Sequence, residues 1–154
     1  MKTTITLLTC LSIFLISSCS KKLSPEEQME KDQEIITNYI NDNNLDAQKT
    51  ASGLHYVILD LGTGNYPSSN NDVTVRYKGY FTDGSVFDQS DNAGITFNLQ
   101  QVIQGWTEGI PKLKEGGEGI LLIPSALAYG PDGNSSIPPN SVLIFDVTLL
   151  DITG

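Results

Sequence analysis

Histidine is almost missing from this 154-residue chain, with His55 the only one. No serine or cysteine has a setting around it that would make a nucleophile, so a catalytic triad is excluded. Cysteine is nearly as scarce, and both copies, Cys10 and Cys19, stand near the N-terminus. Positive charge is outnumbered two to one, nine Lys and Arg against eighteen Asp and Glu, for a formal charge of -9. Such a surface repels a phosphate backbone, and nucleic acid is excluded as a partner. Long apolar runs are lacking too. The one candidate, residues 5–16, is too short for a comfortable membrane-spanning helix. What the chain does have is turn-formers, 14 Gly and 7 Pro, which favour short strands. Its length favours one domain with a tail over two full domains.

The N-terminus reads as an export signal. Met1-Lys2 is a basic start, residues 5–16 form an apolar stretch, and the small residues Ser17-Ser18 precede Cys19. Ile16-Ser17-Ser18-Cys19 resembles a bacterial lipobox, which implies that residues 1–18 are a signal peptide and that Cys19 is lipidated. Cys10 is then discarded with the signal, leaving neither a disulfide nor a second thiol to join His55 in a metal site. Loss of one lysine and no acid moves the charge from -9 to -10. The expected location is the bacterial cell envelope, held to the membrane by the N-terminal lipid. Ser20 after the cysteine points to the outer membrane, facing the periplasm.

Residues 19–52 read as a spacer followed by a helix. Ser24 suits a helix cap, Pro25 the first helical position, and Glu27 completes a capping box. Met29, Ile36 and Ile40 recur at helical spacing with Tyr39 beside them, and residues 41–44 stop the helix. A stalk or a docked helix is expected in preference to one that pairs with another copy.

Residues 53–154 change to short strands between turns. Val57, Leu59 and Leu61 share one face of a first strand; Val73, Val75 and Tyr77 alternate with polar neighbours along a second. Asp83-Gly84 supplies a hairpin turn before a strand at Val86-Phe87, and residues 95–99 alternate again. Residues 104–110 are the one helical candidate of this half. Residues 119–123 form a continuous apolar run expected to be a buried strand, and Leu143, Phe145, Val147 and Leu149 alternate through the last. Gly116-Gly117-Glu118-Gly119 precedes a strand and does not join strand to helix, so it fails the test for a phosphate loop. The expected fold is α+β: a curved antiparallel sheet wrapped around one short helix, with a helical extension at the N-terminus and a cavity where sheet and helix do not quite meet.

Six blocks then occur in order: Val75-Arg76-Tyr77-Lys78-Gly79, Asp83-Gly84-Ser85-Val86-Phe87-Asp88-Gln89-Ser90, Val102-Ile103-Gln104-Gly105-Trp106, Ala128-Tyr129-Gly130, Ile137-Pro138-Pro139-Asn140 and Leu143-Ile144-Phe145-Asp146-Val147. The series resembles the FKBP family of peptidyl-prolyl cis/trans isomerases over residues 53–152. The resemblance implies rotation of X–Pro bonds in proline-containing polypeptides folding outside the cytoplasm, with no cofactor and no metal. Tyr77, Phe87, Asp88, Ile103, Trp106, Tyr129 and Phe145 then correspond to catalytic positions, and Ile95, Val102 and Ile137 to substrate-binding ones. Trp106 would be the floor beneath the proline ring, with Phe87 and Phe145 as walls. The Ile103 backbone N–H and the Tyr129 hydroxyl would hold substrate carbonyls, and Asp88 would fix neighbouring polar groups.

Three departures stand out. Ile95 occupies a place where many members carry an aromatic, which implies a less flat wall. Leu99-Gln100-Gln101-Val102 is shorter than the commonest form, and the loop 131–136 is trimmed, with Asn134 nearest to a frequent histidine. These motivate an alternative reading, a chaperone or assembly module on the same fold with weak or no isomerase activity.

Overall fold

The computed structural model describes residues 23–153; the expected signal peptide and Cys19 lie outside them. Helix α1 spans Pro25–Asp42, and strands β1 to β5 are Gln48–Lys49, His55–Asp60, Asp72–Tyr80, Val86–Gln89 and Ile95–Asn98. Helix α2, Gln104–Gly109, runs into a tight turn at Ile110–Lys112; β6 is Glu118–Ile123 and β7 is Leu143–Thr153. All seven strands join one antiparallel sheet, ordered β1-β2-β6-β7-β3-β4, with β5 also paired to β3. This is the α+β arrangement expected from the sequence.

The main core fills the space between one sheet face and α2. Val73 and Val75 of β3, Leu121 and Ile123 of β6, and Leu143, Val147 and Leu149 of β7 are buried there with Ile110. Helix and sheet approach closely because α2 carries glycine where it meets β6. A Cβ on Gly105 would fall 2.5 Å from the Ile123 side chain, and one on Gly109 would fall 2.7 Å from Leu121. Side chains at those positions would push α2 off the sheet.

The capping box forms as read: the Ser24 hydroxyl accepts from the Glu27 N–H, and the Glu27 carboxylate accepts from the Ser24 N–H. The helix docks on the other face of the sheet. Ile36 is fully buried against Val57, Leu122 and Val142, with Ile35, Tyr39 and Ile40 packed around them. Removing such a side chain from water contributes about 1.5–3 kcal/mol. Docking also explains the unbroken apolar run of β6. Leu121 and Ile123 face the main core while Leu122 and the partly buried Ile120 face α1, so both sides of the strand have a covering layer.

One expectation about β2 fails. Leu59 and Leu61, expected to share the buried face of Val57, are 62% and 38% exposed. The contacts of α1 end near Val57, and the register between β2 and β6 shifts between Ile58 and Asp60. Among the described residues no layer lies over that face beyond this point. The main core is instead reached from β2 by Tyr56 and Ile58, and by Leu54 just before the strand.

Candidate active site: an aromatic cavity over Trp106

A cavity of about 390 Å³ opens where α2 leaves the sheet, lined by Tyr77, Phe87, Asp88, Phe97, Gln101, Val102, Ile103, Trp106, Tyr129 and Phe145. The side chains arrive from several separate supports. Tyr77 ends the inward-facing series Val73, Val75, Tyr77 on β3, and Phe145 continues Leu143 on β7. Phe87 and Asp88 come from β4, after the hairpin turn in which Gly84 takes φ +85°. Trp106 lies in the first turn of α2, and Tyr129 follows the short turn at Ser125–Leu127.

Trp106 is the centre of this construction. Its indole is 4% exposed and meets Tyr77, Phe97 and Phe145 edge-on, at 5.1, 5.4 and 5.3 Å between ring centroids. Edge-to-face contacts of this kind stabilise by about 0.5–1.5 kcal/mol beyond simple burial and hold each ring in one orientation. Phe87 stands edge-on to Phe145 at 5.5 Å. Both rings crowd Gly79, where a Cβ would lie 2.7 Å from each. The glycine of the block ending at residue 79 is thus a place where two pocket walls need the room. The indole Nε1 is buried with no hydrogen-bond partner among the described residues.

Asp88 is the one charged residue among those lining the cavity, and it is tied down. The Tyr77 hydroxyl donates to Asp88 Oδ2 at 2.7 Å. Burial, reinforced by that bond to a carboxylate, pushes the Tyr77 phenol well above its ordinary value, so it stays protonated and donating. The backbone of Tyr77 is held by Ser90, whose hydroxyl accepts from the Tyr77 N–H at 3.0 Å. Ile103 caps α2 in extended backbone, φ −60° and ψ 147°, with no side chain bonded across the helix start. Tyr129 stands at the rim, 40% exposed.

The structure therefore brings together Tyr77, Phe87, Asp88, Val102, Ile103, Trp106, Tyr129 and Phe145. It leaves out two residues that the sequence reading included. Ile95, at the start of β5, is 42% exposed and lies outside the cavity. The aromatic wall is Phe97, two positions further along the same strand, so the expectation of a less flat wall is corrected. Ile137 is buried in the main core and does not line the cavity. Phe97 and Gln101 went unnoticed in the sequence. The alternation of Ile95, Phe97 and Leu99 puts Phe97 on the inward face, and that is the signal that could have found it.

Nothing in this lining suits covalent or metal chemistry. It contains no cysteine, histidine or serine, and among the described residues no group of three His, Cys, Asp or Glu side chains could hold a metal. What it can do is enclose a flat, compact apolar group, with polar atoms only at the margin. A second depression, about 260 Å³, lies elsewhere on the sheet and mixes Arg76, Lys78, Glu118 and Asp146. It has no comparable enclosure by rings.

Residues 64–150 match the family described as FKBP-type peptidyl-prolyl cis-trans isomerase. A probable FKBP-type peptidyl-prolyl cis-trans isomerase FkpA of Neisseria meningitidis is 52% identical over 106 residues, 67% of this chain and 39% of that protein. FkpA of Escherichia coli K12 is 49% identical over 107 residues, 68% of this chain and 40% of that protein. The match thus spans about two fifths of the length of these curated relatives. The crystal structure of Escherichia coli FkpA superposes with a TM-score of 0.72 at 35% identity, covering 86% of this chain and 74% of that one. That of a peptidyl-prolyl cis-trans isomerase from Pseudomonas syringae pv. tomato gives 0.74 at 30% identity, covering 87% and 99%. With the matched family model extending over more than half of the sequence and the aromatic cavity falling inside it, the chain belongs to the FKBP-type peptidyl-prolyl cis-trans isomerase family.

Proposed function

We propose that the protein catalyses cis/trans rotation of X–Pro bonds in polypeptides, with the proline ring seated on Trp106. The observation that carries this reading is the ring-lined cavity, whose floor is one indole braced edge-on by three other aromatic rings. Rotation about a peptide bond costs roughly 18–20 kcal/mol because resonance is broken. No proton moves and no covalent bond forms, so a site without nucleophile or base is no obstacle. The need is to bind the twisted amide more tightly than either planar form.

A dry aromatic site meets that need. In the twisted state the carbonyl oxygen carries less negative charge, so losing water costs it less than it costs the planar amide. Phe87, Phe97 and Phe145 exclude water around the ring, and Val102 closes the side near α2. The Ile103 N–H and the Tyr129 hydroxyl hold carbonyls of the flanking chain, which fixes the axis of rotation. Asp88 keeps the Tyr77 hydroxyl turned toward itself and away from the proline. About 5 kcal/mol of preferential stabilisation would accelerate rotation roughly 10³–10⁴-fold.

The substrates in this reading are proteins folding outside the cytoplasm, where uncatalysed X–Pro rotation takes tens to hundreds of seconds. Signal removal at residue 18 and lipidation of Cys19 would hold the enzyme on the periplasmic face of the outer membrane. The Cys19→Ser variant should leave the membrane fraction; retention there would defeat the anchor. The chaperone alternative drew on Ile95 and on the trimmed loops at 99–102 and 131–136; Phe97 supplies an aromatic wall and removes the first motive, while the short loops remain.

The test is exchange spectroscopy on a panel of X–Pro peptides. Isomer exchange should run well above background with the protein, and Trp106→Leu or Phe145→Ala should largely abolish the acceleration. A folded sample that accelerates none of the peptides would overturn the reading.

A further inference from the structure

The N-terminal helix is bonded to the turn that precedes Tyr129, a residue of the cavity lining. Asp32, in the middle of α1, is 0% exposed, and its Oδ2 accepts from both the backbone N–H and the hydroxyl of Ser125, at 2.7 and 2.6 Å. Its Oδ1 accepts from Gln28 Nε2 at 2.7 Å. Ser125, itself 1% exposed, opens the short turn Ser125–Leu127 that Tyr129 follows. The Ser125 carbonyl accepts from the N–H groups of Ala128 and Gly130, at 3.0 and 2.9 Å, the two neighbours of Tyr129. One serine therefore grips the backbone on both sides of the tyrosine, and one buried carboxylate of α1 grips the serine.

We propose that Asp32 is a positioning residue for the active site: through Ser125 it sets where the Tyr129 hydroxyl stands at the mouth of the aromatic cavity. The proposal rests on the isomerase reading for its catalytic consequence. Its physical warrant is separate. A carboxylate removed from water and met by neutral donors stabilises a fold poorly compared with an apolar side chain of the same size. What it supplies is direction, because both donors of Ser125 must point at one oxygen. Tyr129 needs that direction more than its neighbours do. Its ring is half out in solvent and its site is a turn, whereas Trp106, Phe97 and Phe145 are fixed by packing on one another. In this arrangement α1 is part of the catalytic apparatus and not a mere stalk between the domain and whatever precedes it.

The decisive experiment is a double-mutant cycle with a second, activity-free readout. Asp32→Asn and Ser125→Ala are each made with Tyr129 present and with Tyr129→Phe, in the purified protein. Isomer exchange on an X–Pro peptide gives kcat/KM, and amide hydrogen exchange is followed at Ala128 and Gly130. With Tyr129 present, each variant should lower kcat/KM by about tenfold; in the Tyr129→Phe background the loss should shrink to about twofold or less. Exchange at the Ala128 and Gly130 amides should quicken about tenfold or more, while Leu122 and Ile144 in the sheet stay protected. Equal losses in both backgrounds would reduce Asp32 to a stabilising residue and overturn the proposal. Unchanged exchange at Ala128 and Gly130 in folded variants would overturn it as well. Should Asp32→Asn also expose Leu122 and Ile144, Ser125→Ala decides, since it keeps the backbone bond and removes only the hydroxyl. If the unaltered protein accelerates no X–Pro peptide, the isomerase reading falls by itself. The amide exchange then upholds or overturns the link between Asp32 and the Tyr129 turn.

Discussion

Tyr77 and Asp88 bind each other through a 2.7 Å hydrogen bond that joins the middle of the sheet to its β4 edge at the margin of the aromatic cavity. The bond turns the one polar atom of the Tyr77 ring away from the apolar floor. It also occupies the only carboxylate in the lining. Replacing Tyr77 by Phe keeps the ring contact with Trp106 and leaves the exposed Asp88 carboxylate to water. The expected cost is about 1–2 kcal/mol of stability, from a charge-assisted hydrogen bond at a half-open site, with a fall in kcat/KM. Denaturant unfolding and peptide exchange check the two effects. Because burial and Asp88 both disfavour the phenolate, absorbance titration should find Tyr77 ionising well above pH 10, after ordinary tyrosines.

Phe97 and Ile95 offer a sharper contrast, being two residues apart on one strand. Phe97→Leu should raise KM for an X–Pro peptide several-fold, since it removes an edge-on partner of Trp106 worth about 1 kcal/mol. Ile95→Ala should leave both kcat and KM within about twofold, because surface substitutions change little. Steady-state exchange measurements on the pair decide it, and the reverse order of effects would return Ile95 to the pocket wall.

His55 sets a pH limit. Burial, helped by the nearby Lys49 charge, lowers its pKa below the ordinary 6.5, so the folded protein favours neutral imidazole. The unfolded chain binds that proton more readily. Stability is therefore level above about pH 6.5 and falls as pH drops below it, toward the folded-state value. Thermal melts from pH 8 to 5 should show this loss beginning above the carboxylate range. His55→Gln should flatten that part of the profile.

Ile36 tests the docking of α1. Ile36→Ala should destabilise the protein by about 2–5 kcal/mol, through a cavity bounded by Val57, Leu122 and Val142. Urea denaturation measures it. A change below about 0.5 kcal/mol would mean that α1 contributes little to the domain.

The fold was legible in the sequence to an unusual depth, for local reasons. Alternation along residues 73–77 and 143–149, the Asp83-Gly84 turn and the Ser24–Glu27 capping box are each decided within a few residues of chain. Most of the pocket was legible for another reason: ordered blocks from Val75 to Val147 resemble one family, and the chain carries them on the strands and helix that surround the cavity. The errors came where burial depends on what lies opposite. Leu59 and Leu61 have the right spacing for a buried face but, among the described residues, no layer above them. Ile95 has the right chemistry for a wall but sits at a strand end that the cavity does not reach.

By itself, then, the order of residues determined the strands, the turn types, the helix starts and the stock of aromatic rings, because these follow from backbone sterics and side-chain period. Only the packed chain decided which alternating residue became a wall, that α1 covers β6, and that a carboxylate at position 32 meets a serine at 125. Those outcomes turn on partners far apart in sequence. Their contacts exist only once the sheet has closed around α2 and the helix has settled on its other face.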